Sequence, residues 1–202
     1  MKKLIILLFA IILTSVNASA LQPQKGYRGF FDANMTVVPN IGFIAGNPGD
    51  SEVFLGFTTS HGYQFNRWLY VGGGVGLEHN LNWHDNHNNH ATDTRMLIPI
   101  FAEARTDAKW GRFTPFLSLR LGANAADHGG IYFSPTVGYR FNWGRRSAIN
   151  LALGMTLFGR RITYPEYIFA PDGGLVPTGN SYSYTGHFAK VAVRIGFEFQ
   201  LP

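Results

Sequence analysis

The sequence predicts an all-β fold, an eight-stranded antiparallel transmembrane β-barrel. Three observations carry the prediction. An export signal opens the chain, apolar and polar residues alternate along eight later segments, and short and long connections join those segments in turn.

The export signal is "MKKLIILLFAIILTSVNASA". Lys2 and Lys3 form a basic start, Leu4 to Leu13 is an unbroken apolar run, and Ala18-Ser19-Ala20 has the small-residue cleavage pattern. The run is shorter than the roughly 20 apolar residues that a membrane helix needs. Residues 1–20 are therefore expected to be a signal peptide, and residues 21–202 one outer-membrane barrel domain.

Composition narrows the class further. There is no cysteine, which excludes a disulfide framework. Removing Lys2 and Lys3 takes the formal charge from +5 to +3, too mild a basic excess to argue for nucleic acid. With 24 Gly, 17 Phe, 9 Tyr and 4 Trp against 14% charged residues, the balance suits strands.

The first strand falls in "KGYRGFFDANMTVV", with Tyr27, Phe31, Met35 and Val37 on one face and Arg28, Asp32, Asn34 and Thr36 on the other. "SEVFLGFTTSHGYQF" follows, with Val53, Leu55, Phe57, Tyr63 and Phe65 aligned. "LYVGGGVGLEH" sets Leu69, Val71, Val75 and Leu77 against Tyr70, three glycines and Glu78. "RMLIPIFAEAR" sets Met96, Ile98 and Ile100 against Arg95, Glu103 and Arg105.

The fifth, "FTPFLSLRLGAN", opposes Leu117, Leu119 and Leu121 to Ser118 and Arg120. The sixth, "IYFSPTVGYRFN", opposes Val137 and Tyr139 to Thr136 and Arg140. The seventh, "AINLALGMTLFGR", opposes Leu151, Leu153 and Met155 to Asn150, Gly154 and Thr156. The last, "HFAKVAVRIGFEFQL", is the clearest. Val191, Val193, Ile195 and Phe197 share one face, and Lys190, Ala192, Arg194, Gly196 and Glu198 the other.

Volume decides which face is inside. The interior of an eight-stranded barrel is only just filled by its side chains. The bulky apolar face therefore belongs outside and the small, mixed-charge face inside. Arg28, Asp32, Glu78, Arg95, Glu103, Arg105, Arg120, Arg140, Lys190, Arg194 and Glu198 would then pair within the lumen. An Arg or Lys facing lipid at mid-depth would cost about 2–4 kcal/mol. Trp68, Trp110 and Trp143 fall in or beside the short connections, as an interfacial aromatic belt requires. An exported soluble, lipocalin-like binding barrel is the alternative with the opposite faces.

In strand number, loop alternation and the closing "VRIGFEF" segment, residues 25–201 resemble the small eight-stranded outer-membrane barrels of OmpA/OmpX type. The resemblance is one of architecture, not of an enzymatic motif, and implies a membrane barrel.

Function is expected to fall to the exposed loops of a side-chain-filled barrel. Outer-membrane lipid is one partner. An extracellular protein or glycan is a second, met by Ile162–Gly186, read as the longest loop and carrying Tyr164, Tyr167, Phe169, Tyr182 and Tyr184. A monomer is expected. A lipid-modifying enzyme acting on lipid A acyl chains is the competing class, but no His-x-Ser or Ser-x-His pair shares a strand face. "NWHDNHNNH" offers His84, His87 and His90 as metal ligands, or else forms a hydrated loop. No cofactor motif is present. "GGGVG" lies inside a strand, so it is not a phosphate loop.

Overall fold

The computed structural model describes residues 25–38, 52–81, 96–108, 113–126, 130–143, 146–169 and 174–201. The proposed signal peptide lies outside the described residues. Nine strand segments run in chain order: β1 (Gly26–Val38), β2 (Glu52–Gln64), β3 (Leu69–Asn80), β4 (Met96–Leu97), β5 (Pro99–Asp107), β6 (Phe113–Asn124), β7 (Ile131–Asn142), β8 (Ser147–Phe169) and β9 (Leu175–Gln200). β4 and β5 form a single stave, because both pair with β3 in one register, Glu78↔Leu97 and Val75↔Ile100. Pro99 has no N–H to give to a ladder, and the stave breaks beside it.

Eight antiparallel staves result, and the sheet closes, with β1 paired to both β2 and β9. Registered partners can be followed once around the ring: Gly26, Gln64, Tyr70, Arg105, Ser118, Thr136, Gly154, Ala192 and back to β1 at Thr36. The path returns ten residues further along, from 26 to 36. That stagger over eight staves corresponds to a tilt of about 40°.

The two faces divide as the alternation predicts. Phe31, Met35, Leu55, Phe57, Leu77, Ile100, Leu117, Leu121, Val137, Leu153, Val193 and Ile195 are exposed on the outside. Arg28, Asp32, Glu78, Glu103, Arg105, Arg120, Arg140, Lys190, Arg194 and Glu198 are buried inside. Arg95 lies outside the described residues.

The inner face is not uniformly small. Phe30, Phe54, Tyr70, Phe101, Phe116, Tyr132 and Phe158 are buried in the lumen among the charges. Glycines on neighbouring staves make the space. A Cβ at Gly74 would strike the Phe101 ring, and one at Gly138 the Phe116 ring. These aromatics face guanidinium groups, as with Arg105 3.5 Å from the Phe116 ring centroid.

Short connections close one end. Between β2 and β3, Asn66 Oδ1 accepts from the backbone N–H groups of Trp68 and Leu69, both at 2.9 Å. Trp68 and Trp143 are exposed at this end; Trp110 lies outside the described residues.

The other end corrects an expectation. Within Ile162–Gly186, read as a loop, residues 162–169 and 175–186 continue β8 and β9, paired Ile162↔Tyr184 and Tyr164↔Tyr182. Among the described residues, β7 follows β8 no further than Phe158, and β1 follows β9 no further than Val191. The eleven residues 159–169 thus run on in a two-stranded ribbon, about 35 Å along the strand at about 3.3 Å per residue. Prolines disguise it in the sequence. A two-stranded ribbon tolerates proline wherever the missing N–H would point away from the partner strand.

Candidate functional site

The lumen is built in three levels. At the short-connection end, Arg28 on β1 donates to Glu198 (2.8 Å), Asp107 (3.0 Å) and Gln64 (2.5 Å). Glu198 also holds Arg140 at 2.6 Å, and Arg105 donates to Asn150 at 2.7 Å. Asp107 completes this level. It is the last residue of β5, and its side chain is buried against Arg28 and Arg105.

At mid-height Arg120 meets Asp32 (2.5 Å) and Glu103 (3.2 Å) and donates to Thr58 (3.1 Å). Ser118 donates to Glu103 at 2.7 Å. Arg194 donates to Thr136 (2.9 Å) and Ser134 (2.5 Å). At the far end Lys190 pairs with Glu78, its Nζ 4.8 Å from both the Phe54 and Phe158 ring centroids. Phe54, Leu97 and Phe158, with Val38 and Phe188 against them, form an apolar cluster above that pair.

This arrangement fills the barrel. A cavity of about 10 Å³ beside Asp32, Glu103, Arg120 and Arg194 has room for roughly one water. Charges in a dry interior require partners. Six cations (Arg28, Arg105, Arg120, Arg140, Lys190, Arg194) meet five carboxylates (Asp32, Glu78, Glu103, Asp107, Glu198) among the described residues.

The ribbon has a different chemistry. Its register shifts between Pro165↔Ser181 and Tyr167↔Pro177, so Glu166 alone faces Thr178, Gly179 and Asn180. Gly179 takes φ +80°, a left-handed conformation that favours glycine. The Glu166 carboxylate accepts from Thr178 Oγ1 (3.1 Å) and Asn180 Nδ2 (3.2 Å), closing the bulge. Beyond it Tyr167, Ile168, Phe169 and Val176 are exposed, with Phe169 at 80%. Tyr182, below the bulge, is 60% exposed.

No protein-family model matches the chain, and no curated protein matches its sequence. Solved structures do match. The crystal structure of Neisserial surface protein A (NspA) aligns with a TM-score of 0.58 and 14% identity, over 89% of this chain and 100% of that one. The outer membrane protein OprG from Pseudomonas aeruginosa aligns with a TM-score of 0.50 and 16% identity, over 90% of this chain and 99% of that one. This chain shares their barrel fold.

The residues singled out from sequence divide accordingly. Glu103, Arg105, Arg120, Arg140, Lys190, Arg194 and Glu198 meet in the lumen. Tyr164, Tyr167, Tyr182 and Tyr184 are strand positions of the ribbon, and Phe169 ends β8. His84, His87 and His90 lie outside the described residues. Same-face Thr59 and His61 are a polar pair that a search for serine beside histidine passes over. They stand outside the barrel, while Ser60 between them is buried and 3.0 Å from the Tyr70 hydroxyl.

Proposed function

We propose that this chain is an outer-membrane barrel that anchors a projecting ribbon at the cell surface, where the ribbon contacts an extracellular protein or glycan. The ribbon itself carries this reading: a long two-stranded arm, bearing exposed Tyr167, Ile168 and Phe169, continues from a barrel whose lumen is filled by the described side chains. The outward apolar wall and inward charges support the membrane placement and run opposite to a soluble binding barrel. The filled lumen argues against a solute path, which leaves the exposed arm as the place of action. Aromatic residues with little charge suit the centre of a contact surface.

The test replaces residues 160–186 with a tight turn. Intact cells bearing the full chain should lose the ribbon to added protease. They should also bind protein-coated surfaces or glycan arrays that cells bearing the shortened barrel do not. Equal binding by both, with both barrels folded, would contradict the surface role.

A further inference from the structure

Outside the barrel, toward the short-connection end, three polar side chains form a row on the apolar wall. Tyr27 Oη lies 2.5 Å from His61 Nδ1, and His61 Nε2 lies 2.7 Å from Thr59 Oγ1. Thr59 Oγ1 donates to the Phe30 carbonyl oxygen at 3.1 Å. Aromatic rings enclose the row. Tyr27 stacks on His61 with centroids 6.0 Å apart, and Phe31 meets His61 edge-on at 5.9 Å. Phe199 lies 6.3 Å from His61 and stacks on Phe31. Gly29, between His61 and Phe199 in register, lets that ring lie over the sheet; a Cβ there would strike it.

An apolar groove adjoins the row. Phe31, which touches His61, also lines this groove with Ala33, Phe57, Ile149, Ile195 and Phe197. The groove's volume of about 440 Å³ falls in the range of small-ligand sites. Its floor is low because Ala33 stands where most outward positions carry Phe, Leu, Ile or Val.

We propose that the row and groove together bind one glycerophospholipid of the short-connection-side leaflet, headgroup end on Tyr27 and His61 and an acyl chain along Ala33. This rests on the membrane placement proposed above. The wall faces the bilayer in that reading, so its occupant comes from the bilayer. Tyr27, second residue of β1 and registered with Tyr63 beside the turn that carries Trp68, is the end of the row nearest headgroup depth, and Thr59 is the end nearest mid-height.

The row can also serve a ligand while His61 keeps both of its side-chain partners. Empty, Tyr27 donates to Nδ1, Nε2–H donates to Thr59, and Thr59 donates to the Phe30 carbonyl. Reversed, Thr59 donates to Nε2 in place of the Phe30 carbonyl, Nδ1–H donates to Tyr27 Oη, and the phenol hydroxyl is released toward a phosphate oxygen. The imidazole changes tautomer and keeps both neighbours.

Native mass spectrometry of the full barrel, released from micelles doped with dioleoylphosphatidylethanolamine, tests this. The wild type should retain one lipid. Ala33→Phe, which fills the groove, and Tyr27→Phe, which removes the donor, should each lower the retained fraction about tenfold. Val137→Phe, elsewhere on the wall, should not. Dioleoylglycerol, lacking the headgroup, should be held no better than by the Tyr27→Phe variant. Heat-dependent gel migration reports folding, and vesicle flotation reports insertion, for each variant. Folded, inserted barrels that retain no lipid, or variants that retain it as the wild type does, would overturn the proposal and leave the membrane placement standing. Failure to insert at all would instead strike at the placement.

Discussion

Lys190 on β9 and Glu78 on β3 pair across the lumen between the rings of Phe54 and Phe158, joining staves that share no ladder. Removing one partner of a buried pair strands the other charge, at about 3–5 kcal/mol. Glu78→Gln should therefore lower the urea midpoint of unfolding from phospholipid vesicles by a corresponding amount. Replacing both, Lys190→Met with Glu78→Leu, should recover most of the loss, because an apolar pair extends the Phe54, Leu97 and Phe158 cluster.

Glu198 holds two cations, Arg28 at 2.8 Å and Arg140 at 2.6 Å. Glu198→Gln should destabilise the barrel by about 3–5 kcal/mol, since neither guanidinium then keeps that carboxylate. The closing β1–β9 seam lies beside this cluster. The refolding yield into vesicles should fall along with the unfolding midpoint.

Gly74 makes room for the Phe101 ring. Gly74→Val should cost about 1–3 kcal/mol through overpacking. Phe101→Ala in the same chain should return part of that loss, a coupling that a double-mutant cycle measures directly. Independent, additive losses would mean that the glycine serves another purpose.

How much of this was legible in the sequence depends on the length scale of the signal. Facing follows from alternation over a few residues, so Val193 and Arg194 can be assigned to opposite sides without any structure. The lumen aromatics cannot, because Phe101 fits inside only when Gly74, a stave away, vacates the space. Asp107 sits one residue from a turn by sequence and earns its burial from Arg28, 79 positions distant. The ribbon was obscured by Pro165 and Pro177, which suggest a loop unless both edges of the pair are known to be free. The Tyr27–His61–Thr59 row needs the β1–β2 register, which hydrophobic periodicity does not supply.

The ribbon bulge depends on Gly179 in its left-handed conformation and on the Glu166 carboxylate. Gly179→Ala should cost about 1 kcal/mol locally. Glu166→Ala should free Thr178 and Asn180. Both variants should be nicked faster by protease within 160–186 while the barrel's heat-dependent gel migration stays unchanged. Slowed barrel folding would show that the ribbon is not an independent arm.

The apolar wall facing outward and the charges facing inward are the centre of the account. The chain has no cysteine, so single cysteines can be placed along Lys190–Phe199 and spin-labelled without background. In phospholipid vesicles, labels at 191, 193, 195 and 197 should be accessible to oxygen and shielded from a water-soluble nickel complex. Labels at 192, 194 and 196 should be shielded from both. A two-residue period with the nickel complex reaching the odd positions would contradict the membrane barrel and make this a soluble one.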